Sequence, residues 1–186
     1  MDLGKNAQRE RVFPKSNFSL ACNVLTAVMT ALSVVLNRFV SIHTEGWTIG
    51  FAFVPIVAVA IFCGPIPAAI AGGLADFIGA ILFPFGPYFP GFTVVGALMG
   101  LIYGIFLHRG KLNWYRLLVP ALFNNLVLGL LVNTLWVSIL YGSRTYWGWF
   151  LYRLPEYAIL VPMNLIFIPS LFALCKKLGK GRGLWL

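Results

Sequence analysis

Acidic side chains are nearly missing from this sequence: 5 Asp and Glu stand against 14 Lys and Arg, and charge of either sign makes up 10% of 186 residues. Soluble domains carry about 25% charge, so that class is excluded. With 60% hydrophobic residues, only a bilayer gives this composition a solvent. Cysteine is scarce as well. Cys22, Cys63 and Cys175 are far apart, sit in apolar runs and form no CxxC, so neither a disulfide framework nor a zinc site is expected. They read as small buried hydrophobes. Gly-x-Ser-x-Gly, HExxH, a Walker lysine loop and acids paired at helical spacing are all lacking, which argues against an enzyme. His43 and His108 fall on opposite sides of the membrane in the topology below, so no metal and no cofactor is expected. Without an ATP-binding segment, active uptake would need energy from other subunits.

The apolar residues that fill this gap are grouped by length. A 186-residue chain holds about six spans of roughly 20 residues each, leaving no room for a separate soluble domain. The reading is all-α integral membrane: a cytoplasmic segment 1–16, a six-helix membrane domain 17–178, and a cytoplasmic tail 179–186. Span one runs from about Phe18 to Leu36 as an uncleaved helix, with Ala27 and Ala31 as a small-xxx-small pair that admits a neighbouring helix closely. Residues 37–50 form a polar loop. Span two, Phe51 to Phe62, is short and breaks at Gly64-Pro65. Span three covers Ile66 to Phe83, and 84–91 is a rigid loop because its prolines and glycines forbid helix. Span four covers Phe92 to Leu107, with Gly96, Gly100 and Gly104 on one face. Span five covers Leu117 to Tyr141. Span six runs from near Leu151 to Leu174 and is expected to kink at Pro155, Pro162 and Pro169.

Threading these spans puts Lys5, Arg9, Arg11, Lys15, Arg109, Lys111, Arg116, Lys176, Lys177, Lys180 and Arg182 on one side and only Arg38, Arg144 and Arg153 on the other. The excess of cations marks the cytoplasmic side and places both termini there. It also accounts for the net charge of +9 without nucleic acid.

The long stretch Phe51 to Tyr103 carries one charge, Asp76. An acid deep in an apolar span is expensive, about 2.5–3.5 kcal/mol on insertion scales. At about 1.5 Å per residue, Asp76 lies roughly 10 Å below the outer end of span three, and Asn133 lies at a similar depth in span five. Arg38 ends span one on that side, and Arg153 and Glu156 begin span six there. On an α-helix, Asn125, Gly129, Asn133 and Trp136 share one face. A pocket open to the outside, above an apolar inner half, accounts for this grouping. The other account is that Arg153 and Glu156 pair with each other while the asparagines tie helices together. Trp47, Phe51, Phe53, Phe83, Phe85, Tyr88, Phe89 and Phe92 add rings suited to a flat, polar-edged ligand. Trp114, Tyr115, Tyr146, Trp147 and Trp149 read as an interfacial belt.

Ile49-Gly-Phe-Ala-Phe-Val-Pro55, Gly64-Pro65, Ala75-Asp76, the run Phe83-Pro84-x-Gly86-x-Tyr88-Phe-Pro-Gly-Phe92, Gly100-Leu-Ile-Tyr-Gly104, Asn133-Thr-Leu-Trp136 and Leu140-Tyr-Gly142 together resemble the folate-specific S components of energy-coupling factor (ECF) vitamin transporters. The likeness covers about residues 18–178. Arg153-Leu-Pro-x-Glu156 departs from the lysine-containing start of span six associated with that family.

The resemblance implies a six-helix bundle with both termini inside and a substrate held near the outer face, under the loops joining spans one–two, three–four and five–six. It implies that Ala27 and Ala31 dock a membrane T component driven by two ATPase subunits, the S component toppling in the bilayer to deliver its vitamin. For folate, Asp76 or Asn133 would bond the amide and amino edge of the pterin. Phe85, Tyr88 and Trp136 would touch its ring, with Gly86 and Phe51 beside them. Arg38 or Arg153, the latter near Glu156, would meet the glutamate carboxylates. An S component for another vitamin or precursor, such as hydroxymethylpyrimidine, and a stand-alone carrier are the alternative readings.

Overall fold

The computed structural model describes residues 15–44, 47–108, 113–143 and 145–180. The cations expected at 5, 9, 11, 109, 111, 144 and 182 lie outside the described residues.

Among the described residues the regular structure is helical apart from one hairpin. Helix α1 spans Lys15–Phe39, and strands β1 (Ile42–Thr44) and β2 (Trp47–Ile49) pair antiparallel, His43 opposite Thr48. Then follow α2 (Phe53–Cys63), α3 (Pro65–Leu82) and α4 (Pro90–Leu107). A long helix is built from α5 (Trp114–Leu122), a π-helical segment (Phe123–Val132) and α6 (Asn133–Tyr141), and α7 spans Tyr146–Lys180. Among the described residues five helical stretches are long and apolar enough to cross a membrane: Leu20–Phe39, Pro65–Leu82, Pro90–Leu107, Trp114–Tyr141 and Tyr146–Cys175. The sixth apolar helix, α2, is shorter.

Glycine and proline set the boundaries. Gly64 takes φ 94° between α2 and α3, a backbone conformation open to glycine, and Pro65 starts α3. Proline suits a first helical turn, where its missing N–H would have no partner anyway. That rule also corrects one expected boundary. Pro90 and Gly91 do not extend the loop, because Pro90 opens α4 and the loop closes at Phe89. Likewise α7 begins at Tyr146, ahead of the expected Leu151, and runs as one helix through Pro155, Pro162 and Pro169. The polar loop after span one contains the hairpin, which the sequence pattern did not reveal.

Helices α3 and α4 form the tightest pair. A Cβ on Gly96 would lie 2.9 Å from the Gly72 carbonyl oxygen, and one on Gly100 would run into the Ala68 carbonyl. Small residues at four-residue spacing thus let two backbones touch.

The apolar core gathers Val57, Ile61, Ala68, Ala71, Tyr103, Leu107, Leu117, Ala121, Ile168 and Phe172. These come from the middle and end of α2, the start of α3, the end of α4, α5 and the far part of α7. The core therefore fills the end of the bundle remote from the hairpin.

On α1 the usual burial is inverted. Leu20, Val24, Val28, Leu32 and Val35 are exposed, whereas Thr26, Thr30 and Ser33 are buried. Thr26 and Thr30 donate to the Cys22 and Thr26 carbonyl oxygens, at 2.8 and 2.7 Å. Aliphatic faces turned outward are stable against lipid, not water. Ala27 and Ala31 are exposed on this helix. Trp149, in contrast, is 2% exposed and does not join the aromatic belt expected of it.

Cysteine pairing is a further correction. Cys22 of α1 and Cys63 of α2 form a disulfide with Cα atoms 5.7 Å apart, leaving Cys175 free and buried. Spacing in sequence concealed the pair, because packing of α1 on α2 brings together residues 41 positions apart.

Candidate functional site

The hairpin end of the bundle holds a cavity of about 850 Å³. Arg38 reaches it from the last turn of α1, His43 and Thr48 from the hairpin, and Asp76 from α3. Phe85, Gly86, Tyr88 and Phe89 reach it from the 83–89 loop, and Asn133, Arg153 and Glu156 from α6 and α7. Eight of the expected residues, Arg38, Asp76, Phe85, Gly86, Tyr88, Asn133, Arg153 and Glu156, line this one space. Trp136 and Phe51 do not. Trp136 packs behind it on Phe89, ring centroids 5.2 Å apart, and Phe51 packs edge-on against Phe167 at 5.2 Å.

The four charged side chains sit in different surroundings. Arg153 is 4% exposed and donates from Nε to Glu156 Oε2 at 3.1 Å, from one terminal nitrogen to Thr134 Oγ1 at 3.3 Å, and from the other to the Tyr157 hydroxyl at 2.9 Å. Glu156 Oε1 accepts the Thr48 backbone N–H at 3.0 Å. The pair thus both lines the cavity and satisfies itself. Such buried pairs hold only while every member is bonded.

Asp76 has no cation near it in sequence, but the fold brings it within the field of Arg38 without a direct ion pair. Its Oδ2 accepts from Thr93 Oγ1 at 2.8 Å. Since Thr93 has one hydroxyl proton, the Tyr88 hydroxyl, 3.1 Å away, donates to Thr93. The 83–89 loop is therefore chained to the half-buried acid. Arg38 lies over the Phe85 ring at 4.6 Å, and His43 stacks on the same ring at 3.9 Å. His43 Nε2 is 2.6 Å from the Asn37 carbonyl, which can only accept, so Nε2 carries the proton and Nδ1 accepts from Thr48 Oγ1 at 3.0 Å. Burial, with the nearby Arg38 charge, pushes the His43 imidazole below its ordinary value against the raising effect of the Asn37 bond.

The cavity takes in Asn125, on the face expected for span five, and goes beyond what the sequence placed there to Tyr103, Asn124, Tyr157 and Asn164. The π segment explains part of this. Asn124 and Asn133 are about 180° apart on an α-helix. On a π segment, which turns about 80° per residue, they are nearly aligned. Both line the cavity. The α-helical face expected for span five thus gives way to one that adds Asn124. Only the tandem of asparagines in an apolar run hinted at it. Asn164 had no such signal.

Several buried polar atoms here lack a partner: Arg38 Nε, Asn124 Oδ1, Asn133 Oδ1, Asn164 Oδ1 and Trp136 Nε1. All but Trp136 belong to cavity-lining residues. An unpaired buried donor or acceptor costs about 1–3 kcal/mol, which a ligand of matching polarity recovers. Among the described residues no group of three His, Cys, Asp or Glu side chains is placed to hold a metal. The arrangement suits binding: fixed charges toward the hairpin, neutral amides toward the middle of the bundle, and rings between.

A family profile described as "ECF-type riboflavin transporter, S component" matches residues 17–172. The folate transporter FolT of Clostridium novyi (strain NT) is 34% identical over 155 residues, covering 83% of this chain and 90% of that protein. Its namesake from Leuconostoc mesenteroides is 30% identical over 166 residues, covering 89% and 86%. A crystal structure of FolT bound with folic acid superposes with TM-score 0.71 at 33% identity, covering 77% of this chain and 86% of that one.

Proposed function

This chain belongs to the ECF-type transporter S components, a multi-pass membrane family, and on that premise we propose that its vitamin is folate, captured from outside the cell. The family description names riboflavin, but the two relatives that align over most of their length are folate transporters. The observation that carries the reading is the polarity of the cavity. Arg38, with a free Nε, stands at the hairpin end, and amide oxygens without partners lie deeper. Folate has the matching form, an anionic glutamate joined to a flat ring edged with donors.

In this reading Arg38 meets a glutamate carboxylate through charge-assisted bonds. Arg153, spent on Glu156, Thr134 and Tyr157, holds the wall instead. Asp76 or Asn133 bonds the ring system from the side, Phe85 and Tyr88 touch its faces with Gly86 beside them, and Trp136 and Phe51 support them from behind. With α2 as the sixth span, residues 17–178 form one membrane domain with both termini cytoplasmic and the hairpin outside. The exposed Ala27 and Ala31 dock the T component, and two ATPase subunits supply the energy.

Titrating the detergent-purified protein with folic acid while following tryptophan fluorescence tests this. Saturable quenching near one folate per chain, absent with riboflavin and thiamine, is the expected result. Saturation by riboflavin with no response to folic acid would reject it.

A further inference from the structure

The deep amides are held in one orientation each. Asn125 Nδ2 donates to the Ala121 carbonyl at 2.7 Å, and Asn124 Nδ2 donates to the Met99 carbonyl at 3.1 Å. A backbone carbonyl can only accept, so neither carboxamide can be turned around. Asn125 Oδ1 then receives Asn164 Nδ2 at 3.1 Å, which fixes the third. The outcome is that Asn124 and Asn164, 2% and 3% exposed and both lining the cavity, keep an oxygen with no partner. Two pinned acceptors in a place without a charge of their own call for two N–H donors on a neutral group.

We propose that Asn124 and Asn164 form the specificity floor of the cavity and select a heteroaromatic edge bearing an exocyclic amine next to a ring N–H. This deepens the folate reading and rests on it. A 2-amino-4-oxopteridine edge carries those two donors side by side. The flavin edge carries one ring N–H flanked by two carbonyls, and those carbonyls would face acceptors. The floor therefore separates the two vitamins named by the family description and by the relatives. A buried acceptor left facing another acceptor is penalised more heavily than a merely missing contact.

Calorimetry on the full chain in detergent would compare folic acid, its 2-deamino analogue (hydrogen in place of the amine) and riboflavin. The wild type is expected to prefer folic acid over the deamino analogue by at least tenfold. Asn124→Leu and Asn164→Leu should shrink that preference to threefold or less, mainly by weakening folic acid binding. Because the readout is a ratio within one variant, a general loss of stability does not mimic it. If Asn164→Leu disturbs Asn125 and fails to run as a single species, Asn124→Leu, which leaves the Asn125–Asn164 bond in place, carries the test alone. A preference unchanged in the variants overturns the floor and leaves the folate reading standing. A wild type that binds no folic acid overturns both.

Discussion

Thr48 and Glu156 are 108 positions apart in the sequence, yet the Thr48 backbone N–H donates to Glu156 Oε1 at 3.0 Å. The other Glu156 oxygen holds Arg153 at 3.1 Å. One carboxylate thus fastens the hairpin to α7 and neutralises a guanidinium that is almost wholly buried.

Removing that carboxylate should be severe. Glu156→Ala leaves Arg153 buried and unpaired, which typically costs about 3–5 kcal/mol, and frees the hairpin. Glu156→Gln keeps an acceptor for Thr48 and should lose less. Melting in detergent with and without folic acid checks this, and equal Tm for Glu156→Ala and wild type would refute it.

Asp76→Ala is expected to weaken folic acid binding tenfold or more. Thr93→Val, which strips Asp76 of its hydrogen bond and Tyr88 of its acceptor, should weaken it several-fold, and Thr93→Ser should restore it. Unchanged affinity in Asp76→Ala would take this acid out of the site.

Arg38 can be tested with a shortened ligand. Arg38→Ala should bind folic acid at least tenfold less tightly, with little change toward pteroic acid, which lacks the glutamate. Equal losses for both ligands would mean that Arg38 supports the cavity wall through Phe85 and does not meet the glutamate.

His43 gives a pH dependence with a definite sign. Its value in the folded chain lies below the ordinary one, mainly through burial, so the unfolded chain takes up the proton first. Its contribution is complete above about pH 6.5 and falls as the pH drops through that value. Protonation would also remove the acceptor that Thr48 Oγ1 uses. Wild type should therefore lose more Tm between pH 7 and pH 5 than His43→Gln; parallel losses would contradict the assignment.

Gly100→Leu would drive a side chain into the Ala68 backbone. Overpacking of this kind costs about 1–3 kcal/mol or more, so a clear fall in Tm is expected, and none would mean that α3 and α4 can separate freely.

Whatever depended on composition and local chemistry was legible in the sequence. Scarcity of charge required a membrane, because nothing else solvates such a surface, and the Gly64-Pro65 break and the small residues of α3 and α4 act over a few neighbours. The motif FPxGxYFPGF pointed to the right family, and eight of the ten expected ligand-site residues do line one cavity. Tertiary structure decided what depends on distance between segments. The Cys22–Cys63 bridge, the field of Arg38 at Asp76 and the Glu156–Thr48 fastening join residues 41, 38 and 108 positions apart. No periodicity within one helix encodes such meetings. The π segment is the subtler case. Its turn per residue is a property of backbone bonding, and only that turn aligns Asn124 with Asn133 and brings to the cavity an amide that an α-helical reading sends elsewhere.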